Sequence, residues 1–205
     1  DVCSSDLVAK GSSEPISDEK VASELADQIG YPVIIKAAAG GGGIGMQIVE
    51  EESQFASALK LCMSRAKSAF GDERVFVEKY IQGAQHVEFQ VLADGKNAIH
   101  FGERFCSIQR RHQKLVEEGP WLSDEKRSEI GDLVCRGAES VGYKGLATFE
   151  FLRDANGDFY FLEVNPRVQV EHTVTELITG YNLVELGIRV AQGEELPVSQ
   201  DEIKW

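Results

Sequence analysis

Residues 147–165 read ATFEFLRDANGDFYFLEVN, and they restrict the fold more tightly than any other stretch of the chain. Asn156-Gly157 stands between two alternating apolar runs, a strong short-range hairpin signal, because both residues accept the positive φ of a tight turn. A loop centred on that pair pairs Ala155 with Asp158, Arg153 with Tyr160, and Glu150 with Glu163. Like charges facing each other on a sheet, about 5 Å apart, destabilise it, so a positive species is expected between the two carboxylates. A solvated edge with the glutamates splayed apart is the plainer account. Against it, Phe149, Phe151, Leu162 and Val164 mark these strands as buried on at least one face. A divalent cation is therefore expected. Magnesium is commonly held by one or two carboxylates plus substrate phosphates. On this account, replacing either glutamate by glutamine relieves repulsion and leaves the metal-free fold no less stable.

Around the hairpin, groups of strands alternate with helices. The polar segment KGSSEPIS leads into a helix over residues 18–28, with acidic residues in its first turn and Gly30 past its end. PVIIKA reads as a buried strand, AGGGGIG as a loop and MQIVEE as a second strand. An amphipathic helix over residues 53–70 and the strand RVFVEKYI follow. HVEFQVLAD, a turn at Gly95, and AIHFGERFCSIQRRHQKLVEE read as long antiparallel strands. A helix over residues 123–141 precedes the hairpin, and TVTELITG and NLVELGIRVAQG read as a short and a longer helix, each stopped by glycine. This grouping predicts an α+β fold of two lobes, residues 8–80 and 81–205, not a doubly wound parallel sheet. The opening DVCSSDL matches the translation of a common sequencing-library adapter, so residues 1–7 are set apart as a non-native scar.

Composition narrows the partners. A net charge of -13 on 205 residues repels nucleic-acid phosphates unless a basic stripe is segregated on one face, and only one short basic cluster is present. Cys3, Cys62, Cys106 and Cys135 lie far apart, with no Cys-x-x-Cys pair, so neither a zinc site nor a disulfide framework is indicated. Reduced thiols fit a cytoplasmic protein, or a mitochondrial one if the source is eukaryotic. No apolar run reaches the length of a membrane span, and no secretion signal opens the chain.

Four further segments carry candidate chemistry. The loop Gly40 to Gly45 follows Lys36; consecutive glycines let backbone N–H groups approach an anion, and a nearby lysine supplies a point charge for phosphate. It is not a P-loop, since Gly-Lys-Ser/Thr is missing and the loop enters a strand, and a flexible linker is the plainer alternative. HVEFQVL places His86, Glu88 and Gln90 on one face and Val87, Phe89 and Val91 on the other; the polar face suits either solvent or a nucleotide. QRRHQK concentrates Arg110, Arg111, His112 and Lys114 in an acidic chain, either as a solvated face or as a site for anionic groups. NPRVQVEH, if extended, turns Arg167, Gln169 and Glu171 to one side and Val168 and Val170 to the other. Arginine holds a planar oxyanion bidentately and a nearby glutamate can act as a base, so a small planar acid such as bicarbonate fits. An ordinary ion pair between Arg167 and Glu171 is the alternative.

Taken together, YPVIIKAAAGGGGIGM, VEKYI, HVEFQVLADG, ERFCSIQRRHQKLVEE, ATFEFL and FYFLEVNPRVQVEHTVTELITG resemble the biotin carboxylase component of the biotin-dependent carboxylases, a branch of the ATP-grasp ligases. The resemblance runs over residues 12–198. It implies an ATP-grasp fold, with a glycine-loop lid subdomain and an antiparallel-sheet core lobe, in a fragment lacking the N-terminal lobe and the C-terminal segment. It also implies an activity: ATP phosphorylates bicarbonate to carboxyphosphate, which carboxylates biotin on a carrier protein. By position, Lys36 with Gly40, Gly41, Gly42, Gly43 and Gly45 would cover the ATP phosphates, and Glu78, Lys79 and Ile81 would line the adenine pocket. His86, Gln109 and His112 would add nucleotide contacts. Glu150, Glu163 and Asn165 would hold Mg2+ or Mn2+. Lys114, Arg167, Gln169 and Val170 would cradle bicarbonate, and Glu171 would deprotonate it. The partners implied are a biotin carboxyl carrier domain and a carboxyltransferase, with a homodimer in the parent chain. The resemblance leaves open another ATP-grasp ligase, such as a carbamoyl phosphate synthetase, and a nucleotide-binding fragment without catalysis. Ile44, Phe105 and Thr173 depart from residues common in the family, which carries a basic residue, aspartate and proline there.

Overall fold

The computed structural model describes residues 7–40, 45–110 and 113–205. They form two compact units, residues 9–82 and residues 83–205 together with residues 7–8.

In the smaller unit, α1 (Glu19–Ile29), β1 (Val33–Ala37), β2 (Met46–Val49), α2 (Glu52–Phe70) and β3 (Val75–Lys79) follow in order. Asp18 caps α1, its Oδ1 accepting the backbone N–H groups of Lys20 and Val21, and Gly30 ends it at φ 78°. Such a cap satisfies amide groups that the first helical turn leaves free. The three strands form an antiparallel sheet in the order β2-β1-β3. Val33 and Ile35 alternate inward from β1, while Phe55, Leu59, Cys62 and Ala66 recur at helical spacing along α2, so one apolar stripe closes over one sheet face. Gly45 is required where the loop rejoins β2: its φ is 79°, and a Cβ there would lie 2.9 Å from that of Ala37.

The larger unit contains β4 (Gln85–Asp94), β5 (Ala98–Arg110), β6 (Gln113–Glu118), α3 (Asp124–Ser140), β7 (Lys144–Arg153), β8 (Phe159–Asn165), α4 (His172–Thr179) and α5 (Leu183–Ala191). Its strands form one antiparallel sheet, ordered β6-β5-β4-β7-β8. Val87, Phe89, Val91, Ala147, Phe149 and Phe151 cover one face and pack on Ile130, Val134 and Ala138 of α3. At one end of the opposite face, Leu92, Ile99 and Phe101 pack under Leu183, Leu186 and Val190 of α5. The rest of that face is polar and buried.

The hairpin differs from its expected form in one respect. Its loop closes one residue earlier, with the Asp154 N–H donating to Asp158 O and the Gly157 N–H to Asp154 O. Asp154 Oδ1 also accepts the N–H groups of Asn156 and Asp158, a side-chain turn that favours this longer loop. Arg153 therefore faces Phe159, not Tyr160, and Ala155 has no strand partner. A bulge between Glu150 and Phe151 then takes up Leu162 and restores the register, so that Glu150 does face Glu163. Because β8 is an edge strand, Leu162 and Val164 are more than one third exposed, which corrects the expectation that they are buried. Leu7, inside the segment set apart as a scar, accepts the Phe161 N–H at 2.6 Å and packs against the apolar cluster under α3.

Candidate functional site

The buried polar face grows from the alternation of β4. His86, Glu88 and Gln90 share that face, as the sequence predicts, but it is not solvated: Glu88 and Gln90 are wholly buried. A buried carboxylate requires paired charge and hydrogen bonds. Arg104, directly opposite Glu88 on β5, donates from Nε to Glu88 Oε1 at 2.6 Å. Lys114 of β6 bonds Glu88 Oε2 and donates to Glu150 Oε1 at 2.7 Å. Arg104 and Lys114 thus oppose Glu88 and Glu150 directly, while Glu117, whose pKa burial raises, also feels Glu88 and Lys114.

Glu150 is the centre of convergence. Besides Lys114, its Oε1 accepts from Asn165 Nδ2 and Gln169 Nε2, both at 2.9 Å, and its Oε2 lies 2.8 Å from His86 Nε2. Gln109 Nε2 approaches His86 Nδ1 at 2.9 Å. An amide nitrogen only donates, so Nδ1 is the acceptor of this contact. Burial alone raises the Glu150 pKa, but the hydrogen bonds of His86 and Lys114 and the Lys114 charge outweigh it and hold the carboxyl at about 2. For Lys114 burial acts in the other direction, yet Glu88 and Glu150 overcome it and keep the ammonium charged. The positive partners of Glu150 in this fold are thus side chains. Glu163, across the strand pair, is exposed.

The segment after β8 is not extended. The Arg167 N–H donates to Asn165 O at 2.8 Å, and a turn leads into α4, so residues 167–171 do not alternate between two sides. Gln169 is drawn inside by Arg104 and Glu150, whereas Arg167 and Val170 are exposed. Arg167 donates to Asn165 Oδ1 at 3.2 Å and to Val168 O at 3.3 Å, and does not pair with Glu171. Glu171 is half-buried at the start of α4, and among the described residues its carboxylate takes no hydrogen bond.

In the smaller unit, Lys36 Nζ and Glu78 Oε2 form an ion pair at 2.5 Å, joining two residues predicted to meet the nucleotide. Lys79 is committed to the backbone, donating to Gly30 O at 2.9 Å and Tyr31 O at 3.1 Å. Ile81 follows β3 and is half-buried, and Gly40 donates its N–H to Ala37 O. Gly41, Gly42, Gly43 and His112 lie outside the described residues.

The sequence reading missed Arg104, the most connected side chain of the site. Its signal is an arginine directly after an acidic neighbour and before the apolar pair Phe105-Cys106, in GERFC. Thr148 and Thr175, which also meet it, carry no comparable signal. The departure at Phe105 has a structural account, since its ring stacks on Trp121 with centroids 4.8 Å apart. His86, Glu88 and Cys106 bring ligand atoms within 4.8 Å of one another among the described residues. Both Glu88 oxygens already meet cations, and burial pushes the Cys106 thiol strongly up, whereas metals bind the thiolate.

Comparison with known proteins bears on the whole chain. The family model for the carbamoyl-phosphate synthase L chain, ATP binding domain, matches residues 5–199. The biotin carboxylase of Allochromatium vinosum is 50% identical over 198 residues, which is 95% of this chain and 44% of that one. A pyruvate carboxylase subunit from Methanothermobacter thermautotrophicus is 53% identical over 199 residues, covering 96% and 40%. Among solved structures, the biotin carboxylase domain dimer of Hydrogenobacter thermophilus 2-oxoglutarate carboxylase, in complex with MgADP, ADP and bicarbonate, superposes with a TM-score of 0.91 at 46% identity, covering 97% of this chain and 44% of that one. A Campylobacter jejuni biotin carboxylase in a nucleotide complex superposes at 0.90 with 49% identity, covering 96% and 45%. The chain thus spans less than half the length of these relatives.

Proposed function

The chain belongs to the family of the carbamoyl-phosphate synthase L chain, ATP binding domain, and on that premise we propose that it is the nucleotide- and bicarbonate-handling part of a biotin carboxylase. Its fold is the ATP-grasp fold of the biotin carboxylases. In the parent protein, ATP phosphorylates bicarbonate to carboxyphosphate, which delivers CO2 to the ureido nitrogen of biotin on a carrier domain. A carboxyltransferase then passes the carboxyl group to an acyl-CoA or to pyruvate. The observation that carries this reading is the convergence of His86, Lys114, Asn165 and Gln169, from separate segments, on the carboxylate of Glu150.

Lys114, Arg167 and Glu150 have tasks that their surroundings support. The Lys114 ammonium has three N–H donors; Glu88 and Glu150 take two, and the third is available to an anion. Arg167 is exposed and makes only long contacts to its own neighbours, so its planar fork can take bicarbonate bidentately. Gln169 and the backbone at Val170 complete the cradle. Glu171, half-buried beside it in sequence, is the base that takes the bicarbonate proton. Within the smaller unit we assign Lys36 and the loop Gly40 to Gly45 to the ATP phosphates and Glu78, Lys79 and Ile81 to the adenine, and within the larger unit His86, Gln109 and His112 to nucleotide contacts. Glu150, Glu163 and Asn165 offer three oxygen donors, the hard set that magnesium or manganese prefers, and Glu150 Oε2 meets only His86, which leaves it a lone pair. An ion held there would neutralise charge on the ATP phosphates.

The name of the matching family favours a second reading, a carbamoyl phosphate synthetase, which also activates bicarbonate. Bicarbonate-dependent ATP cleavage by the full-length parent, measured with free biotin and with ammonia as competitor, separates the two. Stimulation by biotin supports the biotin branch, and stimulation by ammonia alone overturns it. In the same assay Glu171→Gln is expected to lower turnover by about 10²-fold or more, the usual scale for a general base, while nucleotide affinity is kept. Unchanged turnover removes Glu171 from the mechanism. The isolated 205-residue chain, less than half of its relatives, is expected to bind Mg-ATP weakly and not to carboxylate biotin. We also propose a homodimeric parent, since the Hydrogenobacter domain is a dimer, and a cytoplasmic location, or a mitochondrial one in a eukaryote. No described helix is long and apolar enough to cross a membrane.

A further inference from the structure

We propose that Arg104 is a positioning residue for the anion subsite, fixing where Lys114 and Gln169 present their donors. This rests on the reading of Lys114 and Gln169 as groups that meet bicarbonate. Arg104 is wholly buried and does not belong to the cradle itself. It acts through two side chains that do.

A guanidinium carries five N–H donors in one rigid plane and no acceptor. In Arg104 the number of acceptors matches. Glu88 Oε1 takes Nε at 2.6 Å, Gln90 Oε1 and Thr175 Oγ1 take Nη1 at 2.9 and 2.8 Å, and Thr148 Oγ1 and Gln169 Oε1 take Nη2 at 3.4 Å each. These acceptors come from β4, β7, α4 and the turn before α4, so the plane of the arginine is set by four segments at once.

Two consequences reach the subsite. A glutamine amide can sit either way round, but Arg104 offers only donors, so the Gln169 oxygen must face it. The amide nitrogen is thereby turned toward Glu150, at 2.9 Å. The second consequence runs through Glu88. Arg104 holds one of its oxygens, which leaves the other for Lys114 and fixes the lysine between Glu88 and Glu150. A lysine at position 104 keeps the charge but has a single compact ammonium, and it cannot hold Glu88 and Gln169 in one plane. The Lys114 and Gln169 donors are then free to rotate away from the anion.

A purely structural role predicts something else: a lower active fraction, with the Michaelis constants of the surviving enzyme unchanged. The test uses the full-length parent and two variants, Arg104→Lys and Thr175→Val. The second removes one acceptor of the arginine with little change of shape and touches neither Lys114 nor Gln169. ATP cleavage is titrated with bicarbonate at saturating MgATP, and with MgATP at saturating bicarbonate. For Arg104→Lys the bicarbonate KM is expected to rise by about tenfold, the scale of one lost charge-assisted hydrogen bond, with the MgATP KM unchanged. Thr175→Val is expected to move the bicarbonate KM in the same direction by a smaller factor. Unchanged KM values with reduced kcat, or both KM values rising together, overturn the proposal; if Arg104→Lys does not fold, Thr175→Val decides alone. A wild-type parent without bicarbonate-dependent ATP cleavage overturns the subsite reading itself, a result distinguishable from failure of the variants.

Discussion

Arg104 and Arg127 are both buried against a carboxylate, on opposite faces of one sheet, and they are held in different ways. Glu103 and Arg104 are consecutive on β5, so the pleat sends them to opposite sides. Arg127, from α3, grips Glu103 at 2.7 and 3.1 Å and also bonds Asp124 and the Leu122 carbonyl. Glu103 in turn accepts the backbone N–H groups of Trp121 and Leu122, and the Arg127 guanidinium lies over the Trp205 ring. Burial raises the Glu103 pKa, but Arg127 and those two N–H groups more than offset it. This cluster ties side chains to the backbone of the segment before α3. The Arg104 cluster ties side chain to side chain and ends in groups at the edge of solvent, Lys114 and His86. The same pairing chemistry therefore anchors a loop on one face and aims movable donors on the other.

The largest effect is expected where the anchor is broken. Arg127→Met leaves Glu103 buried without its cation, and removing one partner of a buried pair costs about 3–5 kcal/mol. Urea unfolding of the parent should register that loss, while the bicarbonate KM of the folded enzyme stays at its wild-type value. A rise in that KM would mean that the two faces are coupled and that the division between anchor and aim is wrong.

On the other face, Glu150→Gln is expected to destabilise the fold by about 3 kcal/mol at pH 7, from the gap between the ordinary carboxyl value and about 2. The sign opposes the repulsion-relief expectation from sequence. Glu150 is surrounded by donors, so an amide in its place gives up the pairing with Lys114 and His86. Because its pKa is depressed, this contribution is present above the unfolded value of 4.5 and is lost as pH falls toward 2. Equal unfolding midpoints at pH 7 would show that the cluster contributes no stability.

The anchored face carries a pH response of its own. His100 is buried there, its Nδ1 accepts the Gly102 N–H at 3.2 Å, and its ring stacks on Trp205 and lies against Gly131. Burial lowers its pKa to about 4, with Asp132 and Glu103 pulling up and Arg127 pulling down. The folded state thus keeps the ring neutral, while the unfolded chain takes a proton near 6.5. Stability is full above pH 6.5 and falls, by about 3 kcal/mol in all, as pH drops through 4. Unfolding followed from pH 7 to pH 5, where most carboxylates stay charged, should show this slope in the wild type and lose it in His100→Asn. An equal slope in both assigns the effect elsewhere.

These contrasts also mark what a sequence can reveal. Helix starts were legible to within one residue because their determinants are local: Asp18 and Ser123, taken as the first helical residues, are the caps, and Gly30 supplies the positive φ past α1. The polar face of β4 was legible from alternation, yet its burial was not, since that depends on β5, β7 and α4 closing over it. The turn at residues 166–171 escaped for the same reason, as Gln169 is pulled inward by residues 65 and 19 positions away. Arg104 escaped because all five of its acceptors lie in other segments. The opposition of Glu150 and Glu163 was reached through a loop register off by one, which the bulge at Leu162 restored.

The smallest effect is expected at Glu163, and it sharpens the comparison within a single strand pair. Glu163 and Glu150 face each other in register, but one is exposed on the edge strand and the other is buried among donors. Exposed substitutions away from special features usually stay within about 0.5 kcal/mol, so Glu163→Gln should leave the unfolding midpoint of the metal-free parent almost unchanged. On the proposed metal site, its effect is expected on ion binding instead. Titration of the parent with ATP at rising magnesium should show weaker binding for Glu163→Gln and a shift to higher magnesium. Full affinity at low magnesium would take Glu163 out of the metal site, and a loss of stability as large as that of Glu150→Gln would make both glutamates structural.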